Sequence, residues 1–199
     1  MTPKGNQYIG VDFSEGKGVD IVLSDPYELP FEDSSVDVIV SSSCYEHSEF
    51  FWLSFNEALR FLKPAGLLYI NAPSDGFHHR HPVDCWRFYP DSGVALQNWG
   101  NRSGFNCALL ESFIGVRKDD VWQDFVAVFV KDQSIAQCYP SRIQDVTDEF
   151  INGRTIGSKD IVHYRQIPPS YLFKEIVSAI RIAKKRFTAS VKNYFGYGN

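Results

Sequence analysis

Short apolar runs and one stretch of helical spacing alternate along this chain, and their order predicts the fold. Tyr8–Phe13 and Val19–Leu23 are brief apolar runs that lead to the acids Asp12 and Asp25, and both predict strands. Val36–Ser43 (V-D-V-I-V-S-S-S) follows a turn-rich segment. Its four apolar positions cannot fill two helical turns, so it predicts a buried strand of a parallel sheet. From about Glu49 to Leu62 the rhythm changes, and Phe51, Phe55, Ala58, Leu59 and Leu62 recur at helical spacing. Lys63-Pro64-Ala65-Gly66 supplies the stop. Leu67–Asn71 predicts another strand, and Pro90 opens a helix to about Trp99. Asn106–Val116 and Asp124–Lys131 predict an antiparallel hairpin around the polar turn Arg117–Asp120. This order is that of an α/β layer fold.

Two features disturb the pattern. No helical segment separates the first two runs, although parallel neighbours normally need a crossover. After Asp132 the periodicity fades, which divides the chain into an α/β domain over 1–132 and an extension over 133–199. Gln133–Pro169 is polar, and an amphipathic basic helix is predicted over about 171–187. Leu172, Ile176, Ala179, Ile180 and Ala183 form its apolar side, flanked by Lys174, Arg181, Lys184, Lys185 and Arg186.

Composition narrows the partners. A chain of 199 residues holds one ordinary domain and a tail, and a net charge of −4 gives no reason to expect nucleic acid. Four widely spaced cysteines without a C-x-x-C pair argue for reduced thiols and a cytoplasmic protein. No apolar run approaches the roughly 20 residues of a transmembrane segment. His78, His79, His81 and Asp84 fall within seven residues. Imidazoles with a carboxylate suit zinc or iron(II), but H-H-x-H is not a helical pair, and a surface loop carries these residues without an ion. No metal is expected. Trp86, Arg87 and Phe88 read equally well as loop packing or as a shelf for a ligand.

Several stretches resemble class I S-adenosylmethionine-dependent methyltransferases of the type 11 kind. Asp25-Pro26-Tyr27-Glu28-Leu29-Pro30-Phe31-Glu32-Asp33-Ser34-Ser35-Val36-Asp37-Val38-Ile39 is similar to their "D-x-x-x-LPF-x-D-x-S-F-D-x-V" segment. Glu46-His47 matches the "E-H" after the next strand, and Glu57–Gly66 matches "E-x-x-R-V-L-K-P-G-G". Residues 77–88 resemble a loop of bacterial members associated with polysaccharide pathways. The resemblance covers roughly residues 8 to 131 and implies a Rossmann-like sheet, mostly parallel, with a C-terminal antiparallel hairpin. It implies S-adenosyl-L-methionine as cofactor. Asp12 would meet the ribose hydroxyls, Asp25 the adenine amino group, Pro26 and Tyr27 the ring, and Ser41 and Ser42 the methionine moiety. Glu46, His47, His78, Trp86 and Arg87 would face the substrate, with His79 or His81 as general base toward a sugar hydroxyl.

The family's first strand and G-x-G-x-G loop should precede Tyr8, where only seven residues stand. The expected sheet is therefore N-terminally truncated, through a fragment, a misassigned start, or a degenerate enzyme. Asp12–Gly18 aligned to the glycine loop is the weaker alternative. Two functions follow. The first is O-methylation of a sugar or other small molecule, the acceptor in one version being a lipid-linked glycan. The second is a non-catalytic binding or assembly module of the same fold, in one arrangement a homodimer.

Overall fold

The computed structural model describes residues 5, 7–116, 122–166 and 176–187. Two short strands, β1 (Val11–Asp12) and β2 (Ile21–Val22), pair in parallel as a small separate sheet. They are followed by β3 (Val36–Ser42), α1 (Phe51–Phe61), β4 (Leu62–Asp75), α2 (Pro90–Arg102), β5 (Ala108–Gly115), β6 (Gln123–Val130) and β7 (Phe150–Thr155). The five-stranded sheet has the order β3-β4-β6-β5-β7. β3 and β4 are parallel, and β6 is antiparallel to both β4 and β5. β3, β4 and β5 thus run one way, with β6 and β7 opposing them. This is a mixed α/β sheet, with one parallel and three antiparallel ladders, carrying the expected β5–β6 hairpin, whose turn residues lie outside the described residues.

The link between β1 and β2 is built from glycines and one aspartate rather than a helix. Asp20 Oδ2 accepts the Gly10 N–H at 2.7 Å, and the Gly10 carbonyl accepts from Asp20 and Ile21. A Cβ on Gly10 would lie 1.8 Å from the Gly18 carbonyl oxygen, so this close return of the chain requires glycine there. That is how two parallel strands can dispense with a crossover.

α1 stops because Pro64 drives Lys63 out of the helical region, and β4 begins at once. Leu62 pairs with Val36 and Leu67 with Val38, so Lys63–Gly66 loops out of the ladder. Lys63 Nζ reaches both Asp37 carboxylate oxygens at 2.8 Å across that bulge. On one face of the sheet, Leu68, Ile70 and Ala72 of β4 and Phe125, Ala127 and Phe129 of β6 meet Phe55, Ala58 and Leu59 of α1 and Leu96 of α2. The other face is covered by the irregular segment after β6, where Ile135, Ala136 and Tyr139 pack on Ala108, Leu110 and Val130.

Two sequence expectations need correcting. Val36–Ser42 is not a buried strand but an edge strand, with Val38 and Val40 58% and 67% exposed. Its apolar run predicts neighbours on both sides, and among the described residues it pairs with β4 alone. The boundary after Asp132 also moves. β7 pairs with β5, and the two compact units are Met1–Tyr164 and Arg165–Asn199. The sequence 150–155 (F-I-N-G-R-T) hides this strand because only its first two residues are large and apolar. In the second unit, residues 176–187 form a helix whose residues are almost all exposed, and the start of the predicted 171–187 helix lies outside the described residues.

The Glu57…Arg60 pair that carried part of the resemblance is a structural pin. Arg60 donates to both Glu57 oxygens, to the Leu29 and Phe31 carbonyls and to Asp33, all at 2.7–3.0 Å. Glu57 Oε1 also accepts the Leu29 N–H at 2.7 Å. Arg60→Ala would leave a half-buried carboxylate and two carbonyls unmatched. It should lower stability by about 1–3 kcal/mol in urea unfolding. An unchanged midpoint would show that this pin does not hold the 29–33 segment.

Candidate functional site

The C-terminal ends of β3 and β4 open into two loops that fold onto each other. After β3, Ser43 takes φ of +49°, which turns the chain sharply, and its N–H donates to Asn71 O at 3.0 Å. A single 3-10 turn, Tyr45–His47, follows. The loop after β4 reaches back: Cys85 and Trp86 donate their N–H groups to Glu46 O at 2.8 and 3.3 Å, and Phe88 donates to Pro73 O at 3.0 Å. Beneath it, Phe51, Trp52, Trp86 and Phe88 form an edge-to-face aromatic layer with centroids 5.0–6.1 Å apart. Such contacts add about 0.5–1.5 kcal/mol each beyond burial.

The loop also braces itself. Asp84, whose side chain is 1% exposed, receives Arg87 at both oxygens, Nη1–Oδ1 2.5 Å and Nη2–Oδ2 2.8 Å. The same carboxylate accepts the His79 N–H at 2.8 Å, and Arg87 donates to Phe77 O at 2.8 Å. The Arg87 hydrogen bonds, opposed by burial and aided by the His79 N–H, hold the Asp84 carboxyl well below the usual carboxylate range.

At the centre lie Glu46, His47 and His79. Glu46 is 1% exposed. Its Oε1 sits 3.5 Å from His47 Nε2, while Oε2 is fully buried with no hydrogen-bond partner. Burial raises its pKa, against the lowering influence of a backbone N–H and of His47, His79 and Arg87. His47 is turned by a 2.5 Å contact between Nδ1 and Val83 O. The His79 ring stands edge-on to His47 at 4.9 Å and against Trp122 at 4.8 Å.

The sequence-derived residues divide into three groups. Glu46, His47 and His79 come together from two loops, His47 and His79 being 32 residues apart in the chain. His78 and His81 are exposed, and the His81 ring lies 6.0 Å from that of His79. Trp86 and Arg87 are held within the loop, Trp86 Nε1 donating to Ser48 O at 2.9 Å and Arg87 serving Asp84. On the other side, Asp12 and Asp25 are exposed, each bending its own chain: Ser14 N–H donates to Asp12 Oδ1 and Tyr27 N–H to Asp25 Oδ1. Pro26 and Tyr27 are half-buried, and the Tyr27 hydroxyl accepts the Phe50 N–H at 3.1 Å. Ser41 and Ser42 stand opposite Ile70 and Asn71 at the end of β3.

Cys44 lies between β3 and the Tyr45–His47 turn. Its thiol pKa is raised first by burial of the sulfur, although the residue as a whole counts as exposed, and then by the carboxylates of Glu46 and Asp12; a Ser41 hydrogen bond opposes them. Sequence reasoning does not reach Trp122, and it reads Asp84 only as a possible metal ligand. Asp84 was legible as a loop acid, but its service to His79 and Arg87 was not. Trp122 enters only through the β4–β6 pairing, which no local motif announces. A concavity of about 310 Å³ between Gln97, Leu109 and Arg154–Ser158 contains none of these residues.

Residues 1–70 match the family described as "Methyltransferase domain". No curated protein matches the chain. Among solved structures, it is similar to Burkholderia thailandensis 1,6-didemethyltoxoflavin-N1-methyltransferase, solved with 1,6-didemethyltoxoflavin and S-adenosylhomocysteine. Identity is 17%, covering 62% of this chain and 60% of that one, with a TM-score of 0.47. The Haloferax volcanii complex of the Trm112 methyltransferase activator and its methyltransferase partner gives 18% identity over 61% of this chain and 65% of that one, TM-score 0.41. An S-adenosylmethionine-dependent methyltransferase of Methanosarcina mazei gives 14% over 62% and 81%, TM-score 0.42. The chain spans less than two thirds of the length of the first two.

Proposed function

We propose that this chain, Rossmann-like in fold and of methyltransferase-domain sequence over residues 1–70, moves the methyl group of S-adenosyl-L-methionine to a hydroxyl oxygen of a small molecule. A sugar, free or on a lipid carrier, is the acceptor class we favour. The observation that carries the reading is the gathering of Glu46, His47 and His79 at the C-terminal ends of β3 and β4, the edge at which open α/β sheets place their ligand crevices.

The donor set fits the cofactor at its ribose. Asp12 uses Oδ1 on the Ser14 N–H, and its exposed carboxylate can still accept from a hydroxyl. Asp25 offers the adenine amino group the same chemistry, with Tyr27 and Pro26 beside it. When bound, the cofactor supplies an activated methyl group on a sulfonium, so alignment of the acceptor accounts for most of the acceleration. His79 and His81 are the candidate bases for the hydroxyl proton, since imidazole can take a proton near neutral pH.

The test is calorimetric titration with S-adenosylhomocysteine. Binding is expected, and Asp12→Ala should weaken it roughly tenfold or more, the worth of one charge-assisted hydrogen bond. Absence of binding by the unaltered chain would sink the enzymatic reading and leave the binding-module alternative.

A further inference from the structure

Among the described residues two glutamates are buried, and they are treated differently. Glu111, 2% exposed, is met by the N–H groups of Ile143 and Gln144 and by the Gln144 side-chain amide, at 2.7–3.2 Å. Glu46 is buried as deeply, yet its Oε2 has no donor. A buried carboxylate oxygen without a donor is rare enough to require an explanation. We propose that Glu46, His47 and His79 bind a divalent transition-metal ion.

The donor atoms of the three side chains lie within 4.8 Å of one another. Ligand atoms around a zinc-sized ion at about 2.1 Å stand roughly 3.0–3.5 Å apart, and the Glu46 Oε1–His47 Nε2 distance of 3.5 Å is already there. His79, on a half-exposed loop, is the group that moves in. Both imidazoles are oriented as metal ligands usually are, through the nitrogen they do not use. His47 Nδ1 faces Val83 O, and His79 Nδ1 lies 3.2 Å from Phe77 O and 3.4 Å from Asp84 Oδ2. Each Nε2 is left for the ion. Asp84 and Arg87 fix this outer shell. Glu46 brings a carboxylate to the two imidazoles, and the Asp84 carboxylate behind His79 is paired with Arg87. Two imidazoles and one carboxylate select zinc, iron(II) or manganese over calcium and magnesium. Three protein ligands leave coordination positions open, the arrangement of a catalytic site.

Resting on the methyl-transfer reading, the ion would hold the acceptor hydroxyl and lower its pKa, as bound water is acidified at such sites. His79 would then be a ligand, and His81 would remain as the base. The binding itself is independent of that reading.

The experiment titrates chelator-treated full-length protein with ZnCl2 by calorimetry and with CoCl2 by visible absorption. The expected result is one tight site with nitrogen and oxygen ligation. Glu46→Gln and His79→Ala should each weaken it at least tenfold to a hundredfold, while His81→Ala and His78→Ala leave it in place. His79→Ala removes a half-exposed side chain and is expected to fold; circular dichroism checks this. No saturable site, a thiolate-to-cobalt band indicating Cys44 or Cys85, or loss of binding in His78→Ala or His81→Ala with His79→Ala unaffected would each overturn the proposal. S-adenosylhomocysteine titration of the metal-free protein reads the methyl-transfer proposal separately, so either can fail alone.

Discussion

Asp84→Ala is expected to cost about 3 kcal/mol, because it strands the Arg87 guanidinium and an N–H of the loop in a place from which water is largely excluded. The Asp84 side chain is 1% exposed and Arg87 24%, so Arg87 regains part of its hydration and the loss falls at the low end of the range for buried pairs. For a domain of this size that corresponds to a fall of roughly 6–12 °C in Tm. The loss carries a pH signature. The folded-state pKa of Asp84 is depressed by Arg87. Its contribution is therefore complete above the ordinary aspartate pKa of about 4, and it is lost as pH falls from there toward the folded value. Wild type and Asp84→Ala should differ fully at neutral pH and converge in acid. Equal Tm values at pH 7, or a gap that widens in acid, would show that the pair does not anchor the loop. Because Asp84 also holds the His79 N–H, the same variant should weaken zinc binding.

Phe55→Ala should cost more, about 3–5 kcal/mol, or roughly 6–20 °C in Tm. Phe55 is completely buried and meets Phe129 of β6 edge-to-face at 4.9 Å. It also stands where α1 and α2 approach: a Cβ on Gly100 would lie 3.0 Å from both Phe55 Cε1 and Leu59 Cδ1. Removing the ring leaves a cavity between a helix pair and a sheet that cannot close without moving all three. Phe55→Leu, which keeps most of the volume, should recover the larger part of the loss. A cost under about 1 kcal/mol for Phe55→Ala would mean that α1 is not seated on β4 and β6 as described. Glu46, His47 and His79 lie on loops outside α1 and make no contact with the Phe55 ring, so this variant should retain zinc binding below its melting temperature.

Local pattern determined much of this protein. Helical spacing of Phe51, Phe55, Ala58 and Leu59 set α1, with Pro64 ending it, and the turn between two apolar runs set the β5–β6 hairpin. These depend on neighbours in sequence, and one chain displays them. Tertiary structure decided what depends on remote partners. The run Val36–Ser42 spells an interior strand, yet its place at the edge depends on which strands lie beside it. β7 owes its existence to pairing with β5, since N-G-R-T has no strand pattern of its own. In the loop, the sequence displays four close candidates, His78, His79, His81 and Asp84, as if they formed one cluster. Folding gives them different surroundings, because adjacent residues of an extended loop point different ways. It sends Asp84 inward to Arg87, leaves His78 and His81 in solvent, and joins His79 to Glu46 and His47 of the preceding loop. Chemical type was written in the chain. Which oxygen would be left without a donor was decided only when two loops closed over Glu46.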